Sequence, residues 1–314
     1  MTHRAKFTRR RFLATAATAV AAPAVMTGVA RAQRKLQPLS ENELQLIGDA
    51  LPEKATAKPA KPRKMLIFWR CEGFFHGSIP RCNEALKLMG KQTGAFDSVV
   101  TDDMAAFDPG KLDGFDAVMF NNTTRLKFDD PKRRETLMAF AKSGKGICGI
   151  HAATDNFYDW PEAAEMMGGL FHGHPWGGGG TWAFKLDEPN HVINKGFGGK
   201  GFWVKDEIYR MRDPYTREKL RVLVSLDMTK EANGSGQRED NDNAVSWIRE
   251  FGDGRVFYCS LGHNNHIFWT TEILQHYLDG IQYAMGDLEA DATPSAKLTE
   301  KPKPALAPAD KETL

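Results

Sequence analysis

Four short strand-like segments constrain this chain more than any other feature of its sequence. Met65-Leu66-Ile67-Phe68-Trp69, residues 96–100, Asp116-Ala117-Val118-Met119-Phe120 and residues 146–150 are each about strand length. The first is continuously apolar, which marks a strand covered on both faces. Helical spacing separates them. It runs over residues 80–89, and again from Asp130-Pro131, which supplies an N-cap and an N1 proline for a helix through Leu137, Phe140 and Ala141 that stops at Gly144. Strand, helix, strand, strand, helix, strand at this spacing predicts an α/β fold with a doubly wound, mainly parallel sheet and helices on both faces. The second half reads as β-rich. Strands are expected over residues 181–186, 202–211, 220–226, 244–251 and 255–261, with a tight hairpin at Gly252-Asp253-Gly254, followed by a closing helix over 271–285.

The flanks read differently. Residues 1–32 have the form of a twin-arginine signal peptide: Thr8-Arg9-Arg10-Arg11-Phe12-Leu13, an Ala-rich stretch broken by Pro23, and Ala30-Arg31-Ala32 before Gln33. The expectation is a protein exported folded to the periplasm, cleaved before Gln33 and free of the membrane afterwards. The leader carries six of the 42 Lys and Arg residues and none of the 40 Asp and Glu residues. Removing those six leaves 36 basic against 40 acidic residues, a net charge of −4, which gives no basic surface for nucleic acid. Residues 33–63 read as a tether with one small helix, started by a Ser40/Glu43 capping box, and residues 287–314 as a disordered tail. Cys71, Cys82, Cys148 and Cys259 are too sparse for a disulfide scaffold, and buried free thiols are the simpler reading for Cys148 and Cys259.

In open parallel sheets the site forms beyond the carboxyl ends of the strands. The residues there are unusual: His76 after the first run, Asn121 after the third, His151 and Asp155 after Gly149-Ile150, and His263 after residues 255–261. Gly149-Ile150-His151-Ala152-Ala153 fits a sharp strand-to-helix corner that projects one side chain into a pocket. His172, His174 and Trp176, ahead of the glycines at 177–180, suit a loop folded over it. Asp206-Glu207 places two carboxylates at a strand end, of which alternation would turn one inward. His191 and His276 read as structural, and His266 as a second-choice pocket residue.

The ordered series Phe75-His76, Gly149-Ile150-His151, Gly169-Leu170-Phe171-His172-Gly173-His174-Pro175, His191-Val192-Ile193, Asp206-Glu207-Ile208-Tyr209 and Gly262-His263 resembles the ThuA-like (trehalose utilisation) family over about residues 64–286. That family is a branch of the class I glutamine-amidotransferase-like superfamily, so the resemblance implies a flavodoxin-like fold. It also implies that His151 stands where the superfamily has its nucleophilic Cys, with His263 near the position of the catalytic His. Glutamine amidotransferase activity is therefore not expected. The reading is a periplasmic carbohydrate-catabolism enzyme, a hydrolase, lyase or isomerase acting on a trehalose-type sugar or 3-keto-sugar. His151, His263 and Glu207 would carry the chemistry, and His76, Asn121, Asp155, His172 and Trp176 would bind substrate. His151, His174 and His263 would hold a divalent metal, with zinc the natural choice. The alternatives are a sugar- or partner-binding protein that uses Trp160, Trp176, Trp182, Trp203 and Trp269 as stacking platforms, and a metal-free histidine acid/base enzyme.

Overall fold

Each buried run alternates its side chains between two helical layers. In β1 (Lys64–Phe68), Met65 and Ile67 pack on one side of the sheet while Leu66 and Phe68 pack on the other. β3 (Ala117–Asn121) divides in the same way, Ala117 and Met119 against Val118 and Phe120. Burial on both faces is what removes the polar alternation from these strands. A computed structural model describes residues 35–236 and 238–314. The expected signal peptide and its cleavage point lie outside the described residues.

The remaining strands are β2 (Asp97–Thr101), β4 (Gly146–Ile150), β5 (Leu170–Phe171), β6 (Thr181–Leu186), β7 (Phe202–Lys205), β8 (Met211–Arg212), β9 (Arg221–Leu226), β10 (Ala244–Phe251) and β11 (Gly254–Cys259). Nine of the eleven described strands form one sheet in the order β2-β1-β3-β4-β11-β10-β9-β6-β7, and β5 pairs separately with β8. The first five in that order are parallel, the strand order of a flavodoxin-like sheet. The β10–β11 hairpin turns at Gly252 and starts the antiparallel extension through β9, β6 and β7.

Five helices are described: α1 (Glu41–Ala50), α2 (Ile79–Thr93), α3 (Pro131–Lys142), α4 (Pro161–Met167) and α5 (Thr271–Ala284). α2 and α5 cover the face carrying Met65 and Met119, and α3 and α4 cover the other. Asp130 caps α3 by accepting from the Lys132 N–H at 2.9 Å, as its position before Pro131 predicts. No helix among the described residues is long and apolar enough to cross a membrane. Cys82, Cys148 and Cys259 are buried thiols outside any disulfide.

The flanks depart from expectation. Residues 36–314 pack as one unit, so the stretches read as tether and tail belong to the domain. The capping box forms, with Ser40 N–H donating to Glu43 Oε2 at 3.0 Å, and Ile47 and Ala50 of α1 enter the core. The Lys- and Pro-rich strap after it binds the last turns of α5. Gln282 Oε1 accepts from the N–H groups of Thr56 and Ala57 at 2.8 and 3.1 Å, and Arg63 pairs with Asp287 at 2.6 Å. The expected disordered tail is likewise held by backbone pairing rather than by apolar bulk. Ala305 and Leu186 exchange hydrogen bonds at 3.0 Å, and the Leu314 N–H donates to the Trp203 carbonyl at 2.9 Å. Backbone pairing satisfies groups on the exposed β6–β7 side, which composition alone cannot reveal.

The strap creates a testable linkage. Asp279 on α5 accepts from Thr56 Oγ1 and from Gln275 Nε2, yet burial pushes its carboxyl up to about 6 against those donors. A folded-state value above the unfolded one means that the group stabilises below about pH 4 and loses that contribution as pH rises through about 6. Asp279→Asn keeps the Oδ1 acceptor. It is expected to be more stable than the parent above pH 6, by up to about 3 kcal/mol, with the difference vanishing below pH 4. Urea unfolding at pH 4, 5.5 and 7 measures this, and a difference independent of pH would refute it.

Candidate active site

The carboxyl ends of β1, β4 and β11 bring His76, His151 and His263 together although they span most of the domain. Their ring centroids lie 4.8 Å (76 to 151), 5.2 Å (76 to 263) and 5.3 Å (151 to 263) apart. Glu207 completes the group, and one ligand atom from each of the four residues lies within 4.8 Å of every other.

His151 sits at the corner its sequence predicts. β4 ends at Ile150, and His151 takes φ +49°, a left-handed conformation that costs a non-glycine residue about 1 kcal/mol or more. Two glycines make room for it. A Cβ on Gly149 would meet Met167 Sδ at 2.8 Å, and one on Gly262 would meet Ile150 Cγ2 at 2.7 Å and His151 Cβ at 3.2 Å. Beyond the corner lies a single 3-10 turn, His151–Thr154, and α4 begins only at Pro161, so no long helix aims its dipole at the ring. The ring is also fully buried, not projected into open space, with Tyr209 packed on it at 4.4 Å.

Hydrogen bonding fixes the ring's tautomer. His151 Nδ1 lies 2.8 Å from the Ser260 carbonyl, which can only accept, so Nδ1 carries the proton. Nε2 faces Glu207 Oε1 at 3.6 Å, buried and without a hydrogen-bond partner. His76 Nδ1 and His263 Nδ1 are likewise buried without one, and His263 Nδ1 stands 3.3 Å from Glu207 Oε1.

Burial, reinforced by the neighbouring imidazoles, holds His76 down to about 2, so this ring stays neutral. Burial works to raise the Glu207 carboxyl, but His151 and His263 outweigh it and hold the group well below the usual carboxylate range. Burial also works against protonation of His263, and there Glu207 prevails and raises it.

Asp206 and Tyr209 also build the site; the Asp206-Glu207-Ile208-Tyr209 series marks this stretch in the sequence without saying which task each side chain takes. Asp206 is fully buried and accepts from the N–H groups of Gly262, His263 and Asn264 at 2.6, 3.3 and 2.7 Å. It thereby shapes the turn that presents His263. Tyr209 packs at a tilt of 41° against His151 and brings its hydroxyl to 3.5 Å from His76 Nε2. Alternation along an expected 202–211 strand allows only one of Asp206 and Glu207 to face the pocket. β7 stops at Lys205, and beyond it both carboxylates serve the site in different ways.

Other expected site residues lie elsewhere. His174 is exposed at the mouth and touches Glu207 Oε2 at 3.3 Å, so His76 replaces it in the close group. Asn121 is buried behind the site, donating to the Ile79 carbonyl at 3.2 Å and to Asn83 Oδ1 at 2.8 Å, where it ties β3 to α2. Asp155 accepts from the Tyr158 hydroxyl and pairs with Arg125 at 3.1 Å. His172 is exposed and pairs through its backbone with Arg210. Trp176 is core, its Nε1 donating to the Asn233 carbonyl at 2.8 Å. Trp160 and Trp203 are buried too, Trp182 donates inward to the Asp206 carbonyl, and Trp269 packs against the core. Trp160, Trp176 and Trp203 are therefore closed to a sugar, while Trp182 and Trp269 are partly buried.

His191 and His276 are structural, as expected. His276 is fully buried between the Ile193 carbonyl and Ser246 Oγ. His191 caps the turn after it, accepting from the Ile193 N–H at 3.3 Å, and its Nε2 meets the Asp291 carbonyl at 3.1 Å. His191→Ala should cost about 1–2 kcal/mol in chemical denaturation and leave ligand affinity at the His76/His151/Glu207/His263 group unchanged. A loss of affinity at that group would tie His191 to it.

The donor set of three imidazoles and one carboxylate fits a first-row divalent cation such as zinc. Buried nitrogens without partners are costly, and a cation would satisfy them. Cys148, the thiol nearest the corner in sequence, is buried in β4 with its pKa pushed well above normal by burial, so it is no substitute for a nucleophile.

A sequence model of the ThuA family, described as trehalose utilisation, matches residues 64–284. Among solved structures, a ThuA-like protein from Parabacteroides merdae superimposes with a TM-score of 0.56 at 20% identity, over 74% of this chain and 93% of that one. One from Bacteroides uniformis gives 0.55 at 19% identity, over 72% and 94%. At that identity both bear on the fold. No curated protein matches the chain.

Proposed function

This chain belongs to the ThuA, trehalose-utilisation family, and from that premise we propose that it is a carbohydrate-catabolism enzyme of the periplasm, acting on a trehalose-type sugar or its 3-keto derivative with a divalent cation held by His76, His151, Glu207 and His263. One observation carries the proposal: four ligand atoms converge within 4.8 Å, and the ring nitrogen His151 presents there is buried and has no hydrogen-bond partner. A divalent cation bound there supplies a Lewis acid for a sugar carbonyl or for water.

The chain's own residues provide the rest. Ser260 holds His151 in the tautomer with a free Nε2, and Asp206 holds the His263 turn. Glu207 remains ionised, able to balance positive charge and to accept a proton from substrate. His174 reaches Glu207 from the mouth and is placed to meet an incoming hydroxyl.

The raised His263 beside Glu207 favours a second reading, a metal-free acid/base pair. A turnover assay on trehalose and a 3-keto-disaccharide separates the two. Under the first reading, chelator-treated protein is inactive and one equivalent of zinc restores it. Full activity after complete removal of metal would establish the acid/base pair instead. Absence of turnover on any sugar would remove the enzyme reading.

A further inference from the structure

The mouth of the His76/His151/Glu207/His263 group carries an aromatic side chain with no structural task. Phe74 is 65% exposed, the most exposed large hydrophobic residue described, while His76 two positions on is 2% exposed. The Phe74 ring stands edge-on to the His76 ring at 4.9 Å.

The loop beneath it is pinned by hydrogen bonds and a close approach. Glu72 N–H donates to the Thr124 carbonyl at 2.8 Å, Thr124 Oγ1 donates to the Phe74 carbonyl at 2.8 Å, and a Cβ on Gly73 would fall 2.6 Å from Arg125 Cγ. An exposed aromatic on a fixed backbone loses little entropy when a ligand covers it. Beside it lie groups suited to hydroxyls. The Arg125 stem passes over Gly73, and its side chain is more than half exposed, paired with Asp155 at 3.1 Å.

We propose that Phe74 is the platform on which the apolar C–H face of a pyranose ring stacks, with the Arg125–Asp155 pair binding its hydroxyls and the ring's reacting carbon directed toward the His76/His151/Glu207/His263 group. This rests on the carbohydrate reading above and puts Phe74 in place of the expected tryptophans as the source of ring recognition. It makes Phe74 a specificity residue for cyclic sugars.

The test is isothermal titration of the intact mature protein with trehalose, with a 3-keto-disaccharide and with the acyclic polyol sorbitol, using wild type, Phe74→Ala and Phe74→Trp. Phe74→Ala should weaken binding of both ring sugars about 10-fold, Phe74→Trp should restore it, and sorbitol affinity should change little. Bound metal and melting temperature should be unaltered, since Phe74 supplies no ligand atom and is not packed in the core. If wild type and Phe74→Ala bind the ring sugars equally, the platform is refuted while the carbohydrate reading stands. Equal loss for sorbitol and trehalose would also refute it. If wild type binds none of the sugars, both fall together.

Discussion

His151→Ala is expected to abolish turnover, a loss of at least about 100-fold, because it removes one of four converging ligands and the only one oriented through Ser260. The protein should still fold. A residue projecting into an open pocket would cost little packing, but this ring is fully buried against Tyr209 and its loss orphans the Ser260 carbonyl. A destabilisation of about 2–3 kcal/mol is therefore expected, with no relief from the backbone, since alanine is no better than histidine at φ +49°. Turnover and circular dichroism on the same preparation measure both. His191→Ala, also buried but remote from the group, is the control. Equal activity in the two variants would leave His151 no special role.

Asp206→Ala should be the most destabilising single change near the site. It strands the N–H groups of Gly262, His263 and Asn264, all now bonded to one fully buried carboxylate. Three donors losing their acceptor should cost about 3–5 kcal/mol in urea unfolding. The freed turn no longer presents His263, so zinc affinity should fall about 10- to 100-fold as well. Asp206→Asn retains one acceptor oxygen and should fall between. A loss below about 1 kcal/mol in Asp206→Ala would show that the turn holds itself.

How far the sequence announces these features differs by element. The parallel half is readable because strands buried on both faces leave continuous apolar runs, and Met65 to Phe68 divide their side chains between the two layers accordingly. His151 is readable because the glycine before it and the small residues after it signal a corner. His76 reads as a substrate residue and not as a member of the ligand group because a long loop separates it from the end of β1, and sequence does not say how a loop folds back. Asn121 and Trp176 sit at the right strand end and loop, but point their polar atoms into backbone carbonyls behind the site. Which way a side chain turns at such an end is decided by tertiary hydrogen bonding. The flanks mislead for a related reason: Ala305 and Leu314 are held through backbone groups, which every sequence possesses and none advertises.

If His76, His151, Glu207 and His263 form a metal centre, the ion itself is the most direct thing to measure. The metal content of the protein, purified without a histidine tag and exchanged into metal-free buffer, is read by plasma mass spectrometry beside anomalous diffraction at the zinc edge. The expected result is close to one ion per chain, an anomalous peak among these four side chains, and neither in His151→Ala. A metal-free wild-type protein that still fails to bind added zinc would contradict the assignment.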